Sequence, residues 1–479
     1  MSATSNQLPI TRAASINRRG VEKQISISLS VIPLLGALSL VLVSRLPTGA
    51  GQPLVLNPDG AWCWFQDERA LVYDGKMSVA SIGHTGDVQV TTWDFRNGLI
   101  GIATLHPAFQ IDDHNVPGML MRHDGRLMAF YTEHRGPKGN NPMLWRTTTR
   151  PGDASEWEPE QSFRAGATNG FSYANPFQLS AERNRIYLFW RSIDYNPTWS
   201  STDDDGKTWR TAANHIYYKT NERPYVKYAC NGTDTIHFAF TDGHPGRPFR
   251  NNLYHAFYRA GGLYRTDGTF IRKLEDGPVQ VSEATRIYDA EHSPAGDAWV
   301  WDMHLDKAGN PVIAYSSHPK NIADNRYRYA RWNGKSWEDR QIAFGGKRVT
   351  IDANLPQGNF YAGGICLDPD DLKVVYVSSS VNVRDGTPNK SRYLEIYRGV
   401  TANGGRDWKW TPLTKNSTVE NLRPIVPSEH PGKTFVLWFR GDYPAYKKFN
   451  TEVVAYIDAR LPAVTRRVTW GRDASGGAK

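Results

Sequence analysis

The segments TDDDGKTW at residues 202–209 and TANGGRDW at residues 401–408 decide the fold class. Both have one spacing: threonine, a carboxylate or amide two residues later, glycine two residues after that, and tryptophan three residues further on. The acidic or amide side chain closes such a turn by accepting backbone N–H groups, glycine supplies a backbone angle that other residues resist, and tryptophan anchors the loop in its sheet. The spacing therefore predicts two copies of one turn, the Asp-box, each beside a β-strand.

Around these segments the sequence consists of short alternating runs separated by turns. Asp-Gly dipeptides, which are hairpin signals, recur along the chain, and runs such as RLMAFY at 126–131 and RIYLFW at 185–190 read as strands. Aromatic residues make up 12%, and 42 Gly and 29 Pro punctuate the chain, whereas no amphipathic helical stretch of comparable strength is present. This composition predicts an all-β protein.

Asp-box turns are typical of β-propellers, whose four-stranded blades surround a central channel. Dividing the mature chain by seven leaves about 60 residues per blade, which allows long loops. We therefore predict a single seven-bladed β-propeller over residues 52–465, followed by a C-terminal tail at 466–479; six or eight blades stay open.

Residues 1–46 read as a targeting segment. Basic residues precede an apolar run from Ile25 to Val43, which predicts a signal peptide or a membrane anchor. The run is borderline for spanning a bilayer and contains Pro33, so a cleaved signal is favoured over a permanent anchor. The Arg18-Arg19 pair leaves a twin-arginine signal as an alternative. We expect a secreted or periplasmic protein with no stable membrane insertion once the signal is cleaved.

Charge and cysteine content exclude several classes. The net charge of +9 falls to about +5 when residues 1–46 are removed, which fits an acidic ligand. No Lys/Arg cluster interleaved with aromatic residues favours nucleic acid. Three widely spaced cysteines, Cys63, Cys230 and Cys366, cannot form a disulfide framework. We expect a monomer.

Four residues in two successive loop-and-strand units form a candidate site. The loop QIDDHNVPG at 110–118 contains His114, and the strand after it ends at His134. In the next unit Tyr173 precedes a strand that ends at Arg191. Each residue alone is more often structural, but polar groups grouped in a rigid loop and at strand ends indicate a functional site.

At these residues the sequence resembles the BNR-type propeller proteins that include the ulvan lyases of polysaccharide lyase families 24 and 25. Besides the candidate site, the resemblance rests on WCWFQD at 62–67, DDHN at 112–115, RPYVKY at 223–228 and TDGHP at 241–245. It covers residues 60–260 best and the remainder more diffusely.

The resemblance implies a propeller that cleaves an acidic, sulfated, ulvan-like polysaccharide by β-elimination. Carried over residue by residue, it makes His114 and His134 a catalytic pair, Tyr173 a catalytic tyrosine and Arg191 the group that neutralises the substrate carboxylate. Substrate-binding residues are then Asn115, Arg223, Tyr225 and His244. One departure is that the interval between Tyr173 and Arg191 is slightly longer than in the family.

β-Elimination requires residues of these types. Removing the proton on carbon 5 of a uronate builds charge on its carboxylate, which a fixed guanidinium stabilises. A neutral imidazole accepts a proton near neutral pH, and tyrosine is better suited to donate one to the leaving oxygen. Either His114 or His134 is the expected base and Tyr173 the expected acid, although a tyrosine can do both in a syn elimination.

The reaction requires no cofactor, but two metal sites are conceivable. Asp112, Asp113 and the histidines could bind a divalent cation such as calcium or zinc. Cys230, His237 and His244 could form part of a structural zinc site, although neither set has a recognised ligand spacing.

Two other functions compete. A sialidase-type glycoside hydrolase would recruit Glu133 or Glu283 together with Asp112, but the early Arg-Ile-Pro segment of that class is missing. A non-catalytic carbohydrate-binding propeller would stack sugars on Trp62, Trp64 and other aromatic residues such as Tyr225. The sequence leaves the uronate, the sulfation pattern and endo or exo action open.

Overall fold

The computed structural model describes residues 53–134, 141–164, 172–219, 222–245, 250–319, 324–349 and 361–470. Their strands form seven successive antiparallel sheets that are the blades of a propeller, which confirms the all-β, seven-bladed prediction. Residues 1–46, where a signal or anchor is predicted, lie outside the described residues. No helix in the described ranges is both long enough and apolar enough to cross a membrane.

The first four blades are formed by consecutive stretches of the chain, which enters through β1 (Leu54–Asn57). Blade one contains β2 (Ala70–Tyr73), β3 (Lys76–Ile82), β4 (Val88–Asp94) and β5 (Leu99–His106). Blade two contains β6 (Gly118–Met121), β7 (Leu127–Tyr131), β8 (Met143–Arg150), β9 (Asp153–Trp157) and β10 (Gln161–Phe163). Blade three contains β11 (Ser172–Leu179), β12 (Arg185–Arg191), β13 (Pro197–Thr202) and β14 (Ala213–Asn214), and β15 (Ile216–Tyr217) follows it. Blade four contains β16 (Val226–Cys230), β17 (Thr235–Thr241), β18 (Leu253–Arg259), β19 (Gly262–Arg265), β20 (Phe270–Lys273) and, after β21 (Val279–Gln280), β22 (Thr285–Tyr288).

The last three blades complete the ring. Blade five contains β23 (Asp297–Leu305), β24 (Pro311–His318), β25 (Asn325–Trp332) and β26 (Trp337–Gly346). Blade six contains β27 (Ile365–Leu367), β28 (Val374–Ser379), β29 (Glu395–Val400) and β30 (Lys409–Pro412). Blade seven contains β31 (Glu420–Ile425), β32 (Phe435–Ala445) and β33 (Lys448–Ile457). The last strand of the chain is β34 (Arg466–Trp470).

Both ends of the described chain close the ring. Strand β1 pairs with β33, so the first strand completes the last blade. Strand β34 pairs in parallel with β5 and extends blade one. The sheet structure therefore reaches residue 470, into the stretch predicted as a tail. The ring of Trp470 covers Gly101, where a Cβ atom would lie 2.0 Å from it, so only glycine leaves room for this contact.

The segment between β1 and β2 connects several blades. The indole of Trp62 donates to the Arg423 carbonyl oxygen at 3.1 Å, and that of Trp64 donates to the Val300 carbonyl oxygen at 3.2 Å. Lys227 in turn donates to the Trp64 carbonyl oxygen at 2.8 Å. Trp62 and Trp64 are 0% and 3% exposed, so these two rings belong to the core and are not available to stack on sugars.

The two Asp-box segments have matching hydrogen bonds. The Asp204 carboxylate accepts from the Thr208 amide at 2.8 Å, and the Asn403 side-chain oxygen accepts from the Asp407 amide at 2.9 Å. Gly206 and Gly405 have φ angles of +92° and +86°, which favour glycine. The turns follow the third strands of blades three and six, and each places its tryptophan against a blade.

Candidate active site

The two predicted histidines lie face to face. The rings of His114 and His134 are stacked, with centroids 4.2 Å apart and an interplanar angle of 14°. Asp112 lies beside both, with one carboxylate oxygen 2.7 Å from Nδ1 of His114 and the other 2.9 Å from Nδ1 of His134. One buried carboxylate therefore orients both imidazoles.

The loop before β6 is rigid because its polar groups are paired. Asp112 caps a single 3₁₀ turn at Asp113–Asn115 by accepting from the His114 amide. The Asn115 side chain is fully buried; its oxygen accepts from the His134 amide at 2.8 Å and its NH₂ donates to Gln110 at 2.9 Å. Asn115, which the sequence assigns to substrate, thus ties the segment of one histidine to that of the other.

Tyr173 and Arg191 meet across neighbouring strands of blade three. Ser172 pairs with Arg191, and the register shifts between Ser172 and Asn175, so Tyr173 lies in a bulge with a φ angle of +68°. A tyrosine in this left-handed region is strained, and such strain concentrates at functional sites. The Arg191 guanidinium lies over the Tyr173 ring at 4.7 Å, and that ring is 5.5 Å from the His114 ring.

Tyr225, which the sequence assigns to substrate binding, is in direct contact with Arg191. Arg191 also lies over the Tyr225 ring at 5.3 Å, so one guanidinium serves two phenols. His244 contacts Tyr225 edge-on at 5.7 Å, and its Nδ1 lies 2.7 Å from the Pro245 carbonyl oxygen. Arg223 lies over Tyr195 at 4.5 Å. The structure thus brings the predicted site residues into one region.

The surroundings shift the pKa values of the two histidines in opposite directions. Burial alone would lower the pKa of His114, but the carboxylates of Asp112 and Asp113 hold it well above its ordinary value. Burial and the neighbouring His114 charge lower the pKa of His134 to about 3. At neutral pH His114 is therefore an imidazolium and His134 a neutral imidazole. The pKa of Asp112 is lowered despite its burial because both histidines stabilise its charge.

The two tyrosines also differ. Burial and the neighbouring Tyr225 raise the pKa of Tyr173 well above its ordinary value, so this phenol keeps its proton. Burial opposes ionisation of Tyr225 as well, but the charges of Arg191 and Arg223 outweigh it and lower the pKa of Tyr225. Tyr173 therefore holds its proton more tightly than Tyr225 does.

A second buried arginine supports the site and was missed from the sequence. Arg423 on β31 lies 2.5 Å from the Asp113 carboxylate, and Tyr443 donates to the same carboxylate oxygen. Tyr446, in the turn between β32 and β33, contacts the His114 ring edge-on at 4.9 Å. These residues come from the last blade, and no spacing in the sequence links them to residues 112–114.

Two sets of potential metal ligands occur in the described part of the chain. The ligand atoms of Asp112, His114 and His134 lie within 4.8 Å of one another, as do those of Cys63, Asp113 and His114. The second predicted set is not gathered among the described residues. His237 instead pairs with His255 through ring nitrogens 3.0 Å apart, and His244 lies beside Tyr225.

Comparison with known proteins assigns the chain to a family. Residues 71–344, more than half of the chain, match the model described as a BNR repeat-containing family member, and the chain belongs to this family. A curated relative, Ulvan Lyase-PL25 of Pseudoalteromonas sp. (strain PLSV), is 23% identical over 361 residues, which cover 68% of this chain and 70% of the relative. The resemblance predicted from the sequence is thereby confirmed.

Solved structures show the same fold. A PL25 ulvan lyase bound to -[GlcA(1-4)Rha3S]- has a TM-score of 0.62 at 15% identity and covers 84% of this chain and 95% of its own. The polysaccharide lyase Uly1 has a TM-score of 0.53 at 12% identity, with coverage of 84% and 97%.

Proposed function

We propose that the protein is a polysaccharide lyase that cleaves a uronate-containing acidic polysaccharide, ulvan-like and sulfated, by β-elimination. The observation that carries this proposal is Arg191. Its side chain is 5% exposed, no carboxylate of the described residues pairs with it, and its Nε and Nη1 atoms have no acceptor there. A buried cation without a counter-ion is costly, and a substrate carboxylate would supply the missing partner.

His134 is the proposed base. In its neutral form Nδ1 donates to Asp112, which leaves the Nε2 lone pair to accept the proton from carbon 5. The charge that develops on the uronate carboxylate then meets the Arg191 guanidinium. His114 holds a proton already and contributes a second positive charge.

Tyr173 is the proposed acid. As the bond between carbon 4 and its oxygen breaks, the electron pair of the former C5–H bond forms the double bond between carbons 4 and 5. The phenol donates its proton to the leaving oxygen, and its raised pKa keeps that proton in place until then. Tyr225, whose pKa is lowered, contacts the same guanidinium, and its ring lies 5.9 Å from that of Tyr173, so Tyr225 is the alternative acid.

The hydrolase alternative is less well supported by this geometry. Asp112 is fully buried, ionised and held between two histidines, so it is a poor general acid. Glu283 lies in blade four and is paired with Arg272. Neither residue is therefore available as the Asp acid, or as the glutamate that pairs with a tyrosine nucleophile, which a sialidase-type hydrolase requires.

One assay tests the proposal. The mature protein is incubated with a panel of uronate-containing polysaccharides while the ultraviolet absorbance of the new double bond is followed. We expect absorbance to rise with an ulvan-type substrate. Reducing ends that rise without absorbance would mean hydrolysis, and binding with neither signal would mean a carbohydrate-binding propeller.

We also propose that the protein acts outside the cytoplasm as a monomer, after cleavage of residues 1–46, and that it needs no cofactor. A polymeric substrate of the proposed kind is met outside the cell, and residues 1–46 read as a targeting segment. The mass of the protein recovered from the medium or periplasm tests the cleavage. Because no cofactor is required in this proposal, we expect full activity after dialysis against a chelator.

A further inference from the structure

A second cleft lies away from the candidate active site, on the outer strands of blade two and the Asp-box turn of blade three. It has a volume of about 850 Å³ and is lined by residues of β8, β10, the β6–β7 hairpin and the turn that ends at Thr211. The hairpin residues Arg122 and Arg126 lie at the opposite end of β7 from His134. Since β7 has five residues, this separation is roughly 16 Å.

An aromatic wall forms one side of this cleft. Trp209 of the Asp-box turn stacks on Phe163 of β10, with centroids 4.6 Å apart and an interplanar angle of 7°. Trp145 contacts Trp209 edge-on at 5.8 Å. Both Trp209 and Phe163 are partly exposed. Partly exposed, rigid aromatic rings give apolar surface for the C–H faces of sugars at a low cost in conformational entropy.

Basic side chains surround the aromatic wall. Five cationic side chains line the cleft against two carboxylates; the cations are Arg122, Arg126, Arg164, Lys207 and Arg210. Arg164, Lys207 and Arg210 are exposed, and Arg210 also pairs with the exposed Glu275 at 2.7 Å.

The inner arginines are held in place by carboxylates. Arg122 pairs with Asp124 at 3.0 Å and with Asp205 at 2.6 Å, and Arg126 pairs with Glu158 at 2.6 Å. Two donors nevertheless stay open in the described structure: the buried Nε of Arg122 and the buried Nε1 of Trp209 have no acceptor there. Arg122 is 6% exposed and held by its carboxylates, so the outer, exposed cations are the ones that meet a ligand.

We propose that this cleft is a second, non-catalytic binding site for an anionic oligosaccharide segment, in which sugar rings contact Trp209 and their sulfate or carboxylate groups pair with Lys207 and Arg210. The proposal rests on the proposed function, because it takes the same acidic polymer as ligand. A long chain held here would be presented to the active site at a raised effective concentration. An oligosaccharide that fills only the active site gains nothing.

The test uses the exposed cations Lys207 and Arg210, because their side chains lie outside the buried core. The double variant Lys207→Glu/Arg210→Glu is compared with Arg406→Glu, which changes the residue at the position equivalent to Lys207 in the other Asp-box turn. Affinity electrophoresis in gels containing a sulfated glucuronate–rhamnose polymer measures binding, with neutral dextran as the control ligand. A Trp209→Phe variant, which keeps the ring stacking but lacks the indole N–H, provides an independent change.

We expect the double variant to bind the polymer at least tenfold more weakly, to lose kcat/KM on the polymer, and to keep kcat/KM on a tetrasaccharide. Arg406→Glu should behave as the unaltered protein. Equal retardation of the double variant and Arg406→Glu would overturn the proposal, as would equally tight binding of a single-stranded oligonucleotide. If the protein cleaves no polymer, the proposed function fails, but the binding comparison still decides whether this cleft is a site.

Discussion

Replacing Arg191 by glutamine should remove activity without the loss of stability that is usual for a buried residue. The guanidinium stabilises the charge that develops on the substrate carboxylate, and loss of one such donor costs a factor of about 10²–10³ in kcat. Because a full charge is lost as well, we expect kcat/KM to fall by about 10³ or more, which corresponds to about 4 kcal/mol of transition-state stabilisation.

The effect on folding follows from the surroundings of Arg191. The variant loses cation–π contacts with Tyr173 and Tyr225 at 4.7 and 5.3 Å, together worth about 2–4 kcal/mol when desolvated. It also avoids burying a cation that has no carboxylate partner in the described structure, which costs several kcal/mol. The free energy of unfolding should therefore stay within about 1 kcal/mol of the unaltered value, or rise.

Arg423→Gln is the matched control, because Arg423 is a second buried arginine over aromatic rings that does have a carboxylate partner. Its replacement removes the arginine partner of the buried Asp113 and leaves only Tyr443 and His114 beside that carboxylate, which costs about 3–5 kcal/mol. Urea unfolding of both variants, followed by tryptophan fluorescence, measures the difference. Equal destabilisation of the two variants, or more than a tenth of the activity left in Arg191→Gln, would refute the reasoning.

Three further predictions concern the proton-transfer groups and the response to acid. Tyr173→Phe should lower kcat by about 10²–10⁴ while the melting temperature is unchanged, because only the phenolic proton is lost; a kcat within tenfold of normal would assign the acid role elsewhere. His134→Gln should abolish double-bond formation but leave binding of the polymer unchanged, as measured by affinity electrophoresis. Loss of both binding and double-bond formation would show that His134 is a structural residue. Stability should fall steeply as pH decreases from about 6.5 towards 3, because burial lowers the pKa of His215 and of His237 to about 3, so the unfolded chain binds more protons there. Each contributes about 1.4 kcal/mol per pH unit, so His237→Gln should reduce the slope of unfolding free energy against pH while the exposed His292→Gln should not; equal slopes would contradict the assignment.

The fold could be predicted because its signals are local. The Asp-box turns and the alternating strands each depend on residues within about ten positions, and the chain length was compatible with the seven blades predicted, with six or eight left open. The extension of the sheet to Trp470 was missed because it depends on the absence of a side chain at Gly101, far away in sequence.

The candidate site was only partly predictable. His114, His134, Tyr173 and Arg191 lie in two neighbouring blades, where loops and strand ends mark them. The residues that support Asp113 come from the last blade: Arg423 and Tyr443 reach its carboxylate across 310 and 330 positions. The burial of Trp62 and Trp64 could not be predicted from the sequence either, because it depends on how the segment between β1 and β2 packs among the blades.

The most direct test of the account is the chemistry of the product bond. Digestion of a glucuronate–rhamnose-3-sulfate polymer in oxygen-18 water, followed by mass spectrometry, shows whether water enters the cleaved bond. Elimination predicts fragments whose new non-reducing ends carry an unsaturated uronate and contain no oxygen-18. Saturated non-reducing ends, with one oxygen-18 atom incorporated at the new reducing end per cleavage, would contradict the proposed lyase mechanism.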